Sequence, residues 1–150
     1  MTAVSVLTAA RINRRRVDRR LARAGYTAVA QDDGVRVSRS GSGVAVTVST
    51  AELADLPEPS LDAARRLLGL SASNGVTCRF DGAVGESDSW ATVVDIARAV
   101  AAEVPLAVLD DHAGTTYLIN PGRGLVPPEE YEPLQGTTRS TDFLRRLLGN

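Results

Sequence analysis

Apolar and polar residues alternate through three short stretches in the first third of the chain. Tyr26, Ala28 and Ala30 alternate with Thr27 and Val29, Val35 and Val37 with Arg36 and Ser38, and Val44, Val46 and Val48 with Ala45, Thr47 and Ser49. A period of two is that of a strand with one buried face. Asp33-Gly34 separates the first two stretches and has the chemistry of a type I′ hairpin. Gly41-Ser42-Gly43 supplies a second turn. These stretches predict a β-meander whose apolar face needs helices packed on it.

Ahead of the meander, residues 4–7 read as an edge strand or as the lead-in to a helix. The arginine-rich segment that follows reads as a helix ending near Gly25. Val6, Ala10, Asn13, Val17, Leu21 and Ala24 fall within one sector of about 80° at helical spacing. Arginines fill most of the remaining circumference.

Beyond the meander, Pro57 and Pro59 interrupt the chain. Ser60 is placed to cap a short helix, with Leu61, Ala64, Leu67 and Leu68 inward and Gly69 at its end. Asn74-Gly75 turns into a strand at residues 76–80, and residues 81–86 form a loop. Trp90, Val93, Val94, Ala97, Val100, Ala101 and Val104 repeat at helical spacing, with Asp88 as the cap, Pro105 as the stop and Trp90 as a core anchor. Residues 106–109 and 115–119 read as strands joined by Asp110-Asp111-His112-Ala113-Gly114. A proline-rich connection over 121–136 leads to a last amphipathic turn or two with Phe143, Leu144, Leu147 and Leu148. The order predicts a single α+β domain over 1–150: an antiparallel sheet of about five to six strands, meander plus hairpin, with helices packed on one face.

Composition supports a globular domain, 43% apolar and 23% charged, rather than a disordered chain. Aromatics are scarce, so the core must be built mainly of Val, Leu and Ala, tight and without an aromatic-lined cavity. Cys78 is the only cysteine, which excludes an internal disulfide and a thiolate metal cluster. Its alternation with Val76 and Phe80 points to a buried strand position. No apolar run approaches the roughly 18 residues of a membrane span. The opening stretch lacks the order of a secretory signal, so a cytoplasmic protein is expected. Lys, Asn, Ile, Phe and Met are rare while Ala, Gly, Val and Arg abound, the bias of a GC-rich bacterial genome.

Charge changes the picture most. Arg11, Arg14, Arg15, Arg16, Arg19, Arg20 and Arg23 place seven arginines in thirteen residues of a chain with no lysine. The first fifty residues carry nine arginines against three acids. The remaining hundred carry eight against fifteen. A formal net charge of −1 therefore hides a dipolar chain. Such asymmetry implies a charged partner, or a domain that folds basic onto acidic. The basic candidate face is Arg11, Arg15, Arg16, Arg19, Arg20 and Arg23. The acidic candidate face lies in the stretch from Asp81 to Glu132 and includes Asp81, Glu86, Asp88, Asp110 and Asp111.

Arginine forks bind phosphate bidentately, so the basic segment could dock on a nucleic-acid backbone. The acidic total and the lack of interleaved aromatics weigh against this. Asp110, Asp111 and His112 bring the one histidine beside two carboxylates, a set that could hold a metal. The same residues are what a hairpin turn requires. No Gly-x-Ser-x-Gly elbow, GxGxxG or Walker loop is present, and without lysine there is no Schiff-base chemistry. No catalytic residue, metal or cofactor is expected.

The helix Trp90-x6-Ala97-x3-Ala101, followed by a strand pair with an acidic turn and Gly114-Thr115-Thr116-Tyr117, resembles the C-terminal half of small α+β immunity proteins of bacterial toxin–immunity systems. The resemblance covers about a third of the chain and implies a non-catalytic inhibitor of a toxin. The basic first helix departs from the acidic surface typical of such inhibitors. The expectation is therefore a protein-binding domain, an immunity-type inhibitor or a small adaptor, using either charge pole. The alternative is a nucleic-acid binder using residues 11–23. A homodimer pairing basic helix with acidic half is a further expected assembly.

Overall fold

The computed structural model describes residues 2–32, 34–39, 45–52, 58–69, 71–80, 86–102, 104–110, 116–120 and 124–125. Ten elements follow one another: β1 (Thr2–Thr8), α1 (Arg14–Arg23), β2 (Tyr26–Gln31), β3 (Gly34–Arg39), β4 (Ala45–Glu52), α2 (Glu58–Leu68), β5 (Asn74–Phe80), α3 (Glu86–Ala101), β6 (Leu106–Asp110) and β7 (Thr116–Asn120). The strands form one antiparallel sheet in the order β2-β3-β4-β5-β1-β6-β7. The fold is α+β, as the pattern predicts.

Among the described residues the sheet has seven strands, more than the five to six expected: residues 4–7, read as an edge strand or a helix lead-in, are a strand, but a central one. They lie in β1, between β5 and β6. Val4, Ser5, Val6, Leu7 and Thr8 are all buried. A strand covered on both faces shows no alternation, and its apolar run resembles a helix face. Val6 and Ala10 therefore do not belong to the helical sector assigned to them.

Val4 and Val6 pair with Cys78 and Val76 of β5, and together with Val37, Val46, Val48 and Phe80 they build one face of the sheet. Leu21 of α1 and Trp90, Val93, Val94, Ile96, Ala97 and Val100 of α3 close over it. Cys78 is buried, as its alternation implies. About 10 Å³ remains open between α1 and the sheet, near the limit for a single water.

The expectation of helices on one face holds for α1 and α3. α2 instead packs against β1 and β6. There Leu7 and Ala107 point away from the main core and are fully buried, with Ser60 and Ala64 of α2 buried as well. Ser5 and Thr77 share a buried hydroxyl–hydroxyl bond of 3.2 Å on this second face.

Helix boundaries differ from the sequence reading at three N-termini. Asn13, counted among the apolar sector, is the cap of α1, its Oδ1 accepting from the Arg16 N–H at 3.3 Å. α2 begins at Glu58, so Ser60 lies inside its first turn; Pro59 is tolerated there because first-turn N–H groups have no helical partner. α3 begins at Glu86, which puts Asp88 inside it rather than at its cap. The C-termini of α1 and α2 agree with the reading, whereas α3 ends at Ala101, ahead of the Val104 and Pro105 expected to close it. Gly25 and Gly69 follow α1 and α2 with positive φ, and the Gly69 N–H reaches the Arg65 carbonyl at 2.9 Å. Asn74 and Gly75 already pair within β5. Apart from residues 124–125, the proline-rich connection and the last amphipathic turn lie outside the described residues.

The β2–β3 reversal lies between Gln31 and Gly34, which pair. Gly34 thus opens β3 instead of occupying the turn centre; Asp33 lies outside the described residues. Gly34 has φ +143°, and a Cβ there would fall onto the Val48 carbonyl. We expect Gly34→Ala to destabilise the domain by more than about 1 kcal/mol, measured by chemical denaturation. An unchanged midpoint would contradict this packing.

Candidate functional site

α1 carries six arginines and one acid in ten residues, RRRVDRRLAR. Such a segment helps itself little. Three arginines crowd the positive end of the helix dipole, and no acid stands in the first turn. What holds the helix is its apolar side. Leu21 is buried in the core, and Val17 packs against it. That anchoring decides which arginines face solvent.

Arg16, Arg19, Arg20 and Arg23 recur at i, i+3, i+4 and i+7 and line one open cleft of about 290 Å³. All four are exposed. The stripe is about 10 Å long at the helical rise. Its neighbouring pairs, 16 with 19 and 20, and 23 with 19 and 20, repel by about 0.2–0.5 kcal/mol each, roughly 1–2 kcal/mol together. Arg15 is exposed but one position round the helix and outside this cleft. Arg11 is exposed ahead of α1, because Asn13 starts the helix after it. Arg14 is half-buried beside Val17 and Leu21.

The ion pairs seen among the described residues, Arg65–Asp62 and Arg98–Asp95, both at 3.6 Å, are i,i+3 pairs within a helix. Among the described residues no carboxylate pairs with Arg19, Arg20 or Arg23.

The acidic candidates are less assembled. Asp81 and Asp111 lie outside the described residues, as does His112. Asp88 is exposed on α3. Glu86 opens α3 and Asp110 closes β6 rather than sitting in a turn. The registers place Asp110 at the end of the sheet where β1 starts and β5 finishes. Among the described residues no group of three His, Cys, Asp or Glu is placed to hold a metal. No described helix is long and apolar enough to cross a membrane.

Asp95, an acid of the same stretch, has a structural task that the sequence did not reveal. It accepts a 2.6 Å hydrogen bond from the Tyr26 hydroxyl, tying α3 to the first residue of β2. The Arg39 guanidinium stands 5.7 Å from the Tyr26 ring centroid. Burial, then the bond to Asp95, raises the Tyr26 pKa above its ordinary 10.0. The folded state thus holds this proton more tightly than the unfolded chain. Its stabilisation is complete below pH 10 and is lost as pH rises past that value. Tyr26→Phe should cost about 1.5–3 kcal/mol near neutrality and flatten the alkaline decline. Denaturant midpoints across pH 8–11 check this; an equally steep decline in the variant would contradict it.

Comparison with protein-family models, with characterised proteins and with solved structures finds no match.

Proposed function

We propose that the chain is a non-catalytic protein-binding domain, an immunity-type inhibitor or a small adaptor, that takes an acidic partner on the arginine face of α1. The observation that carries this reading is the stripe of Arg16, Arg19, Arg20 and Arg23 around one open cleft. It is rigidly presented, because Leu21 fixes the helix on the core. It is also self-repelling, and a cluster of partner carboxylates within about 10 Å would relieve that repulsion while forming charge-assisted bonds. A short stripe in a chain of net charge −1 fits a local acidic patch better than a long phosphate backbone.

The test is capture from the producing organism with the wild-type chain and with an Arg19→Glu/Arg20→Glu variant, followed by rebinding of the purified partner. A protein retained by the wild type in a salt-dependent way, and lost by the variant, is the expected result. Equal retention by both, or a captured species destroyed by nuclease, would refute it.

A further inference from the structure

β2 is the outermost strand at one side of the sheet. Thr27, Ala28, Val29, Ala30 and Gln31 are all exposed, on both faces of the strand, and Val29 is 53% exposed. Edge strands in solitary domains are ordinarily blunted by lysine, proline, an inward charge or a bulge. Residues 26–31 contain no charge and no proline, and their ladder to β3 runs without interruption from Tyr26 opposite Arg39 to Gln31 opposite Gly34. Among the described residues the strand therefore offers an unblocked row of backbone donors and acceptors.

Its two ends are oppositely charged. Arg23 ends α1 just before Tyr26, and Arg39 stands opposite Tyr26 on β3. Asp32 follows Gln31 at the far end. An antiparallel copy of the same strand brings each basic end to an acidic one. A two-fold axis normal to the sheet keeps each residue on its own face, so the symmetric registers centre on a residue facing itself. Centred on Val29, the register buries the exposed valine against its own copy. Ala28 then meets Ala30 of the second copy, and Asp32 meets Tyr26, beside Arg39.

We propose that β2 pairs antiparallel with β2 of a second copy of this chain, about a two-fold axis through Val29, to make one continuous sheet across a homodimer. This contact uses the sheet edge and shares only Arg23 with the arginine face. It also differs from a pairing of basic helix with acidic half.

Sedimentation of the full chain tests it. The expected mass is about twice 15.8 kDa, shifted to the monomer by Val29→Lys or by Asp32→Arg, with circular dichroism showing that both variants stay folded. Oxidised Val29→Cys should cross-link, because facing residues at the axis lie about 5 Å apart. Thr27→Cys should not, its copies being about 14 Å apart. A wild-type chain that stays monomeric up to its solubility limit would overturn the proposal. So would a dimer indifferent to Val29→Lys, or one cross-linked by Thr27→Cys instead of Val29→Cys. Each of these results leaves the partner-binding test untouched.

Discussion

Trp90→Ala is expected to remove about 3–5 kcal/mol of stability, the range for deleting a large buried aromatic. Trp90 is 4% exposed in the second turn of α3, and its ring meets Phe80 edge-on, 5.4 Å between centroids at 75°. Phe80 is itself buried at the end of β5. The pair thus joins α3 to the central strands where no hydrogen bond of the sheet can. Removing the indole leaves a void beside Phe80 and forfeits the edge-to-face contact. A domain of this kind is stable by about 5–15 kcal/mol, so the loss is a large share. The urea midpoint should fall by about 2 M, given slopes of 1–3 kcal/mol per molar. A fall worth less than about 1 kcal/mol would mean that α3 is held by its other contacts.

The second large effect concerns binding. Arg19→Glu/Arg20→Glu should weaken the partner by about 2–4 kcal/mol, roughly 30- to 1000-fold, and remove most of the salt dependence. The same variant should be more stable than the wild type when free. Glu at 19 gains helical neighbours in Arg15, Arg16 and Arg23, and Glu at 20 gains Arg16 and Arg23. Relief of the repulsion alone contributes about 1–2 kcal/mol, and the new pairs add to it. Stability and affinity therefore move in opposite directions. A variant that lost both would have lost binding through misfolding. One that gained stability and kept its affinity would show that the partner contacts another surface.

β3, β4 and α3 were legible in the sequence because each shows one face to the core, and β2 because its residues alternate as if it did. Alternation at 26–30, 35–38 and 45–49 and the helical spacing over 90–101 map onto β2, β3, β4 and α3. β1 was not legible, because burial on both faces erases its period and leaves an apolar run that suits a helix equally well. Its place between β5 and β6 depends on partners seventy and a hundred residues away, which local pattern does not encode. The arginine cluster was obvious, but not which members act together. Asn13 held the missing signal: read as an N-cap, it starts α1 at Arg14, leaves Arg11 outside and phases Arg16, Arg19, Arg20 and Arg23 onto one stripe. The exposure of β2 was hidden for the opposite reason, since Tyr26, Ala28 and Ala30 alternate like a half-buried strand. In the fold only Tyr26 is covered.

Arginine-specific chemical footprinting with phenylglyoxal, on the free chain and on its complex, tests the arginine-face account most directly. Arg36 and Arg65, exposed on β3 and α2, serve as internal references. The account predicts that Arg16, Arg19, Arg20 and Arg23 become protected in the complex while Arg36 and Arg65 react as before. Unchanged reaction at the four α1 arginines, with protection appearing elsewhere on the chain, would contradict it.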